Sequence, residues 1–123
     1  MMTLLMVCLG AALGAPARYL TDRTVQSRHD TVFPWGTFTV NVVGSLVLGL
    51  LVGLASHYDV PAPVVAAVGT GFCGALTTYS TFGFETVRLV VDGARLYAAL
   101  NVVASLLAGL GAAVIGFALG RAL

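Results

Sequence analysis

Four long apolar stretches, near residues 2 to 20, 36 to 56, 62 to 87 and 96 to 120, account for most of this sequence. Each is long enough to cross a hydrocarbon core of about 30 Å as a helix, which takes roughly 20 residues. With 59% hydrophobic and 9% charged residues in 123, the chain is too apolar for the single core of a water-soluble domain. We therefore predict one all-α integral membrane domain, residues 1–123, with four transmembrane helices.

The linkers between these stretches, 21–35, 57–61 and 91–95, are short and hold most of the charges. They leave no room for a soluble domain, so any function must lie among the helices. The chain has no lysine, and its six arginines form no basic patch for nucleic acid. No catalytic triad, P-loop lysine or cysteine-histidine cluster is present. We predict that the protein is not an enzyme.

A repeat links the second and fourth spans, because residues 41–50 and 101–110 are identical at seven of ten positions. Apolar and glycine matches are common in membrane helices, whereas asparagine and serine are uncommon there. The matches that carry the inference are Asn41 with Asn101 and Ser45 with Ser105. The repeat predicts two related helix pairs, as in transporter and channel folds built by duplication.

Small and polar residues recur every four positions along the second span, at Thr37, Asn41, Ser45, Gly49 and Gly53. This spacing places them on one helix face. We expect the glycines to be helix-packing contacts, because small residues let two backbones approach closely. An amide inside a span is costly without a partner, and its two donors suit an anion. Two roles therefore stay open for Asn41, a packing contact and a pore-lining residue.

The third span is the least regular, since residues 69–83 combine four glycines with a run of hydroxyl side chains. A helix break at membrane depth is tolerated only where the freed backbone groups meet protein, water or an ion. We predict a break near residues 74 to 78 as a candidate functional site. The alternative is an unbroken, glycine-rich packing helix.

Two ionisable residues lie near the spans. Arg18 lies near the end of the first apolar stretch, where its side chain can extend to the interface. Glu85 has two open roles: a surface pair with Arg88, three residues later, or a place at the mouth of a pathway.

The sequence resembles the Fluc/CrcB family of fluoride channels, small four-helix membrane proteins that export fluoride. The resemblance covers essentially the whole chain. It rests on Gly10-x-x-x-Gly14-Ala15-x-x-Arg18-Tyr19, on Gly36-Thr37-x-x-x-Asn41-x-x-Gly44-Ser45, and on the segment from Gly71 to Glu85.

The resemblance implies a passive fluoride channel of the cell membrane, assembled as an antiparallel, dual-topology dimer with two pores. It also implies a structural sodium ion at the dimer centre, held by the backbone carbonyls of Gly74 and Thr77 where the third helix is broken. The expected partners are therefore fluoride, sodium, membrane lipid and a second subunit, either the same chain or a homologue.

The same resemblance assigns the site residues. The fluoride pore would contain Asn41, Tyr79, Ser80, Thr81, Phe82 and Ser105, with Glu85 near the pore end and Arg18 as the family's helix-one arginine. Tyr79 stands where the family has the first of two pore phenylalanines, so the ring is kept and a hydroxyl is added. Such groups suit an anion pore, because ring edges are positive and hydroxyl and amide donors replace water.

The alternative function is a small multidrug-resistance-type proton/cation exchanger, which also has four short helices. Such exchangers need a membrane-embedded carboxylate in the first helix, and the first apolar stretch has none. A non-transporting helical subunit is a third possibility, and it would carry no ion flux.

The arginines predict a preferred orientation. If the N-terminus, second linker and C-terminus share one side, that side holds only Arg121. The other side holds Arg23, Arg28, Arg88 and Arg95. Positively charged linkers favour the cytoplasm, so we predict the first and third linkers there, and pairing with an oppositely biased homologue. Self-pairing stays open on overexpression.

Overall fold

The computed structural model describes all residues, 1–123, and every regular element in it is helical. Four helical segments are long and apolar enough to cross a membrane. They are α1 (Met2–Ser27), α2 (Trp35–Ala55), a third segment over Ala62–Val91, and α6 (Arg95–Ala122). The predicted all-α architecture with four such helices is confirmed.

The third segment is made of several pieces. It begins as α3 (Ala62–Val65) and continues as a π-helix over Ala66–Cys73. The short helix α4 (Gly74–Leu76) follows the π-helix. Residues 77–79, here called the connector, are not helical, and α5 (Ser80–Val91) follows them. No sequence pattern indicated the π-helix, a rare form that occurs mostly as short insertions in α-helices and is frequent at functional sites.

The first and third linkers are shorter than the apolar pattern indicates. α1 continues through Ser27, seven residues past the end of the apolar stretch, so the first linker is only residues 28–34. The third linker, residues 92–94, is a helix-ending turn in which Ala94 donates to the Leu89 carbonyl at 2.8 Å. Gly93 has φ +85° there, a left-handed conformation that glycine adopts without steric cost.

Glycines form the contacts between helices. Gly49 and Gly53 of α2 lie against the backbone of α6, and Gly116 and Gly120 of α6 lie against the backbone of α2. A Cβ atom at any of the four would overlap a backbone atom of the other helix. Gly10 of α1 approaches the π-helix in the same way. The predicted packing role of the stripe glycines is confirmed.

Most of the apolar surface faces outward, since only 22 of the 123 residues are buried within the chain. Large side chains such as Leu13, Leu107 and Val114 are each more than 60% exposed. A chain in water would bury such side chains. Their exposure is expected where lipid or a neighbouring subunit covers the helices.

The two ends of the helix bundle carry different linkers. The Tyr58 hydroxyl of the second linker donates to the Leu123 carbonyl oxygen at 2.7 Å, so the second linker and the C-terminus share one end. Residues of the first and third linkers, including Thr31 and Ala94, line one cavity at the other end. This arrangement matches the assignment of sides on which the arginine count was based.

Candidate functional site

A crevice of about 390 Å³ lies between α2, the third segment and α6. It is lined by backbone and side chains from each of these elements. Six of the residues predicted for the site line it: Asn41, Gly74, Thr77, Tyr79, Phe82 and Ser105. The structure therefore brings together residues that are up to 64 positions apart in the chain.

The connector is held to α2 by one side chain. Asn41 donates through Nδ2 to the Thr78 carbonyl oxygen at 3.0 Å and accepts through Oδ1 from the Thr78 amide at 2.8 Å. The backbone amide and carbonyl of Thr78 both have a hydrogen-bond partner, as nonhelical backbone inside a membrane requires. These bonds make Asn41 an interhelical contact, the first of its two predicted roles, and Asn41 also lines the crevice.

The two hydrogen bonds between Asn41 and Thr78, here called the clamp, leave backbone carbonyl groups without a donor between α4 and the connector. In a continuous helix the Thr78 amide would donate to the Gly74 carbonyl, four residues earlier, but here it donates to Asn41. Thr77, with φ −81° and ψ 158°, is extended. The carbonyl oxygens of Gly74 and Thr77 accept no hydrogen bond from the chain.

The start of α5 is capped by Thr78. Its hydroxyl accepts a hydrogen bond from the Thr81 amide at 3.2 Å and lies 3.4 Å from the Ser80 hydroxyl. Ser80 and Thr81 are both exposed and do not line the crevice of the single chain. These two predicted pore residues are adjacent to the crevice rather than part of it.

Two aromatic rings border the crevice. The ring centroids of Tyr79 and Phe82 are 6.2 Å apart, with planes tilted by 44°. Tyr79 is 86% exposed, while Phe82 is half-buried. Ring edges carry partial positive charge and ring faces partial negative charge, so an anion that entered would be attracted to an edge.

Glu85 lies away from the crevice, toward the end with the first and third linkers. It accepts a hydrogen bond from the Thr37 hydroxyl of α2 and lines a second cavity of about 410 Å³. The surface pair between Glu85 and Arg88 is not formed, because Arg88 pairs with Asp92 at 3.8 Å. Arg18 is half-buried on α1 and lines neither cavity.

Sequence reasoning missed the most buried polar residue beside the crevice. Asn101 of α6 is 1% exposed and donates to the Thr86 hydroxyl at 2.9 Å. The repeat that aligns Asn101 with Asn41 was an available signal, because it placed an equivalent amide on the fourth helix. Nothing in the sequence indicated Thr86 as its partner, since α5 has two other hydroxyl residues, Ser80 and Thr81.

Acidic, histidine and cysteine side chains form no metal site, since no three of them come together. Any cation bound near the crevice would therefore use backbone carbonyl or hydroxyl oxygens. The free carbonyls of Gly74 and Thr77 are such groups, and hard oxygen ligands suit a hard cation.

Four apolar helices packed through glycines, with a crevice that holds amide and hydroxyl groups beside the interrupted third segment, define a small multi-pass membrane protein with a candidate site between its helices. Residues 5–117 match the family described as CrcB-like protein, Camphor Resistance (CrcB). The chain belongs to this CrcB family, as its motifs predicted, and it is a multi-pass protein of the cell membrane.

Several similar proteins are named as ion channels. The chain is 64% identical to Fluoride-specific ion channel FluC 1 of Frankia casuarinae over 98% of both chains. It is 58% identical to FluC 1 of Streptomyces avermitilis over 99% of this chain and 98% of the relative. It is 52% identical to FluC 2 of Rhodococcus jostii over 96% and 98%. Since these relatives are ion channels, the prediction of a non-enzymatic protein is confirmed.

Proposed function

We propose that this chain forms a fluoride-selective channel through which fluoride leaves the cytoplasm passively. The observation that carries the proposal is the crevice, where amide, hydroxyl and ring-edge groups from three helices meet beside the interrupted third segment. The names of the relatives supply the ion.

The chemistry of the crevice suits a small anion. Asn41 uses one Nδ2 proton on the Thr78 carbonyl, and an amide has a second proton to offer. Ser105 adds a hydroxyl, and Tyr79 and Phe82 add ring edges. Each contact is weak and uncharged, so an ion can replace its water stepwise and still leave, as conduction requires.

The open side of the crevice supports a dimer. Tyr79 is 86% exposed, and Gly74 is also exposed, with no atom within 4 Å of the position of a Cβ. A pathway with one wall missing admits lipid, whereas an antiparallel second subunit supplies the missing wall. Each subunit then contributes one crevice, which gives two pores per dimer. Ser80, Thr81 and Glu85 extend the polar track of each pore, and Arg18 is the helix-one arginine of each subunit.

The Gly74 and Thr77 carbonyls fit a structural sodium ion at the dimer centre. Both oxygens lack a hydrogen-bond donor within the chain, and no side chain covers Gly74. Two copies facing each other would present the same pair of carbonyls to one ion. When bound, the ion supplies positive charge beside the pores.

A proton/cation exchanger is not favoured. Such a transporter needs an ionisable carboxylate within the membrane part of its first helix. The acid of α1 is Asp22, which lies in the polar extension beyond the apolar stretch, against Gly36.

Efflux from liposomes tests the proposal. Purified protein is reconstituted with sodium present into vesicles loaded with potassium fluoride, and external fluoride is followed with an electrode after valinomycin is added. We expect rapid fluoride release without a proton gradient, and none from vesicles loaded with potassium chloride, measured with a chloride electrode. Flux that requires an imposed proton gradient would indicate an exchanger. Absence of any flux would contradict a channel.

A further inference from the structure

A partly buried series of three hydrogen bonds connects two crevice residues on different helices. The Ser105 hydroxyl of α6 donates to Asn101 Oδ1 at 3.3 Å, and Asn101 Nδ2 donates to the Thr86 hydroxyl at 2.9 Å. Thr86 in turn donates to the Phe82 carbonyl at 2.8 Å. Ser105 and Phe82 line the crevice, whereas Asn101, which is 1% exposed, lies behind it.

The direction of these bonds decides what Ser105 offers to the crevice. Thr86 uses its single proton on the Phe82 carbonyl, so it accepts from the Asn101 amide nitrogen. The amide oxygen of Asn101 is then turned toward Ser105 and takes its proton. In this arrangement Ser105 presents lone pairs to the crevice, which repel an anion.

The hydrogen bond between Ser105 and Asn101 is also the longest of these three. Hydrogen bonds between hydroxyl and carbonyl oxygens are commonly 2.5–3.0 Å long, whereas this one is 3.3 Å. The bonds on the other side of Asn101 have ordinary lengths. An arriving anion can therefore draw the Ser105 proton away while Asn101 stays fixed by Thr86.

We propose that Asn101 is a positioning residue that competes with fluoride for the Ser105 hydroxyl and so keeps fluoride binding at this point of the pore weak. The proposal rests on the proposed channel function. The proposal goes beyond that function by assigning a role to Asn101, a residue that does not line the crevice. Weak binding matters here because a tightly held ion would not leave the site.

The test removes the competing acceptor. In Asn101→Leu, and in the smaller Asn101→Ala, Ser105 has no competing partner at this position. We expect the fluoride concentration for half-maximal efflux to fall by about fivefold, the equivalent of one typical hydrogen bond. Two variants are used because the larger side chain can overpack the site. Each is checked for the same elution profile as the wild-type protein.

A second substitution separates competition from a merely structural role. In a Ser105→Ala background, Asn101→Leu should no longer lower the half-maximal fluoride concentration. The hydroxyl for which Asn101 and fluoride compete is then absent. Ser45→Ala is the matched control, since Ser45 lines the same crevice but donates to the Asn41 carbonyl at 2.7 Å. In that background the fivefold change should persist.

The outcomes are distinct. A wild-type protein without fluoride flux contradicts the channel itself, before Asn101 is considered. If the wild-type protein conducts fluoride and the Asn101 variants show an unchanged or raised half-maximal concentration, the competition is refuted. An equal effect with and without Ser105 refutes it too, as does misfolding of both Asn101 variants, which would assign the amide to structure alone.

Discussion

Phe82 is the half-buried ring of the crevice, and replacing it tests whether a ring edge is needed there. Phe82→Ile keeps an apolar side chain but removes the positive edge that faces an anion. We expect fluoride efflux to fall by at least about tenfold, or roughly 1.4 kcal/mol in the barrier, with the dimer still folded. Phe84→Ile is the control, because Phe84 is 66% exposed and outside the crevice. Normal efflux from the Phe82 variant would remove this ring from the pore.

Asn41 stabilises the connector through two hydrogen bonds, so its loss should be visible in stability as well as in flux. Asn41→Ala leaves the Thr78 amide and carbonyl without partners beside the membrane interior. We expect a destabilisation of about 2–4 kcal/mol, measured as a lower melting temperature in detergent. Ser45→Ala should have little effect, because the carbonyl that Ser45 bonds belongs to its own helix. Equal melting temperatures for the two variants would show that the clamp does not stabilise the protein.

Single residues were the hardest feature to predict from sequence. The four-residue stripe identified Asn41 as an amide on a small-residue face, but its partner lies 37 positions away. Glu85 shows the same limit, because the local spacing indicated Arg88 and the fold supplies Thr37, 48 positions distant. A sequence pattern reports neighbours on one helix, whereas these bonds join different helices.

Close packing of α2 on α6 depends on glycines that leave no space for a methyl group. Gly116→Ala would place a Cβ on the backbone of α2, at Leu46 and Leu50. We expect a destabilisation of about 1–3 kcal/mol, as for other overpacked sites, measured by thermal unfolding in detergent. Gly111→Ala is the matched control on the same helix, because no atom lies within 4 Å of its Cβ position. A Gly116 variant as stable as the Gly111 variant would contradict this contact.

Helices were predicted well where apolar length defines them and poorly where other forces do. The apolar stretches located all four segments, because a span needs a run of about 20 such residues. The extension of α1 to Ser27 was missed, since residues 21–27 are mostly polar and are helical beyond the apolar stretch. The π-helix over Ala66–Cys73 was missed as well. Gly71 packs there against Val7 and Gly10 of α1, a contact that no local pattern contains.

The proposed central sodium ion belongs to the assembled dimer rather than to either chain. If the Gly74 and Thr77 carbonyls hold it, replacing sodium by a large organic cation leaves those oxygens facing each other without a ligand. We expect a lower melting temperature and reduced fluoride flux in sodium-free buffer, both restored by adding sodium. Potassium serves as the control for ionic strength. A protein whose melting temperature and flux are indifferent to sodium would exclude the ion.

The distribution of arginine predicts how the chain inserts. The structure places Thr31 and Ala94, from the first and third linkers, at one end and Leu123 at the other. Four arginines therefore lie toward the first end and Arg121 alone toward the second. Lysine and arginine bias orients membrane proteins with the positive linkers inside. An antiparallel dimer of identical chains needs both orientations, and this bias disfavours one of them.

We therefore expect the chain, expressed alone at low level, to adopt mostly one orientation, with Leu123 outside the cytoplasm. In its own cell it would pair with a homologue of opposite bias. Reporters that are active on only one side of the membrane, fused at the C-terminus, measure the orientation. The double variant Arg23→Gln, Arg28→Gln removes two exposed charges from the first linker end, which leaves two arginines against one and should bring the two signals closer together. Equal signals from the unaltered chain would instead establish dual topology and a dimer of identical, antiparallel subunits.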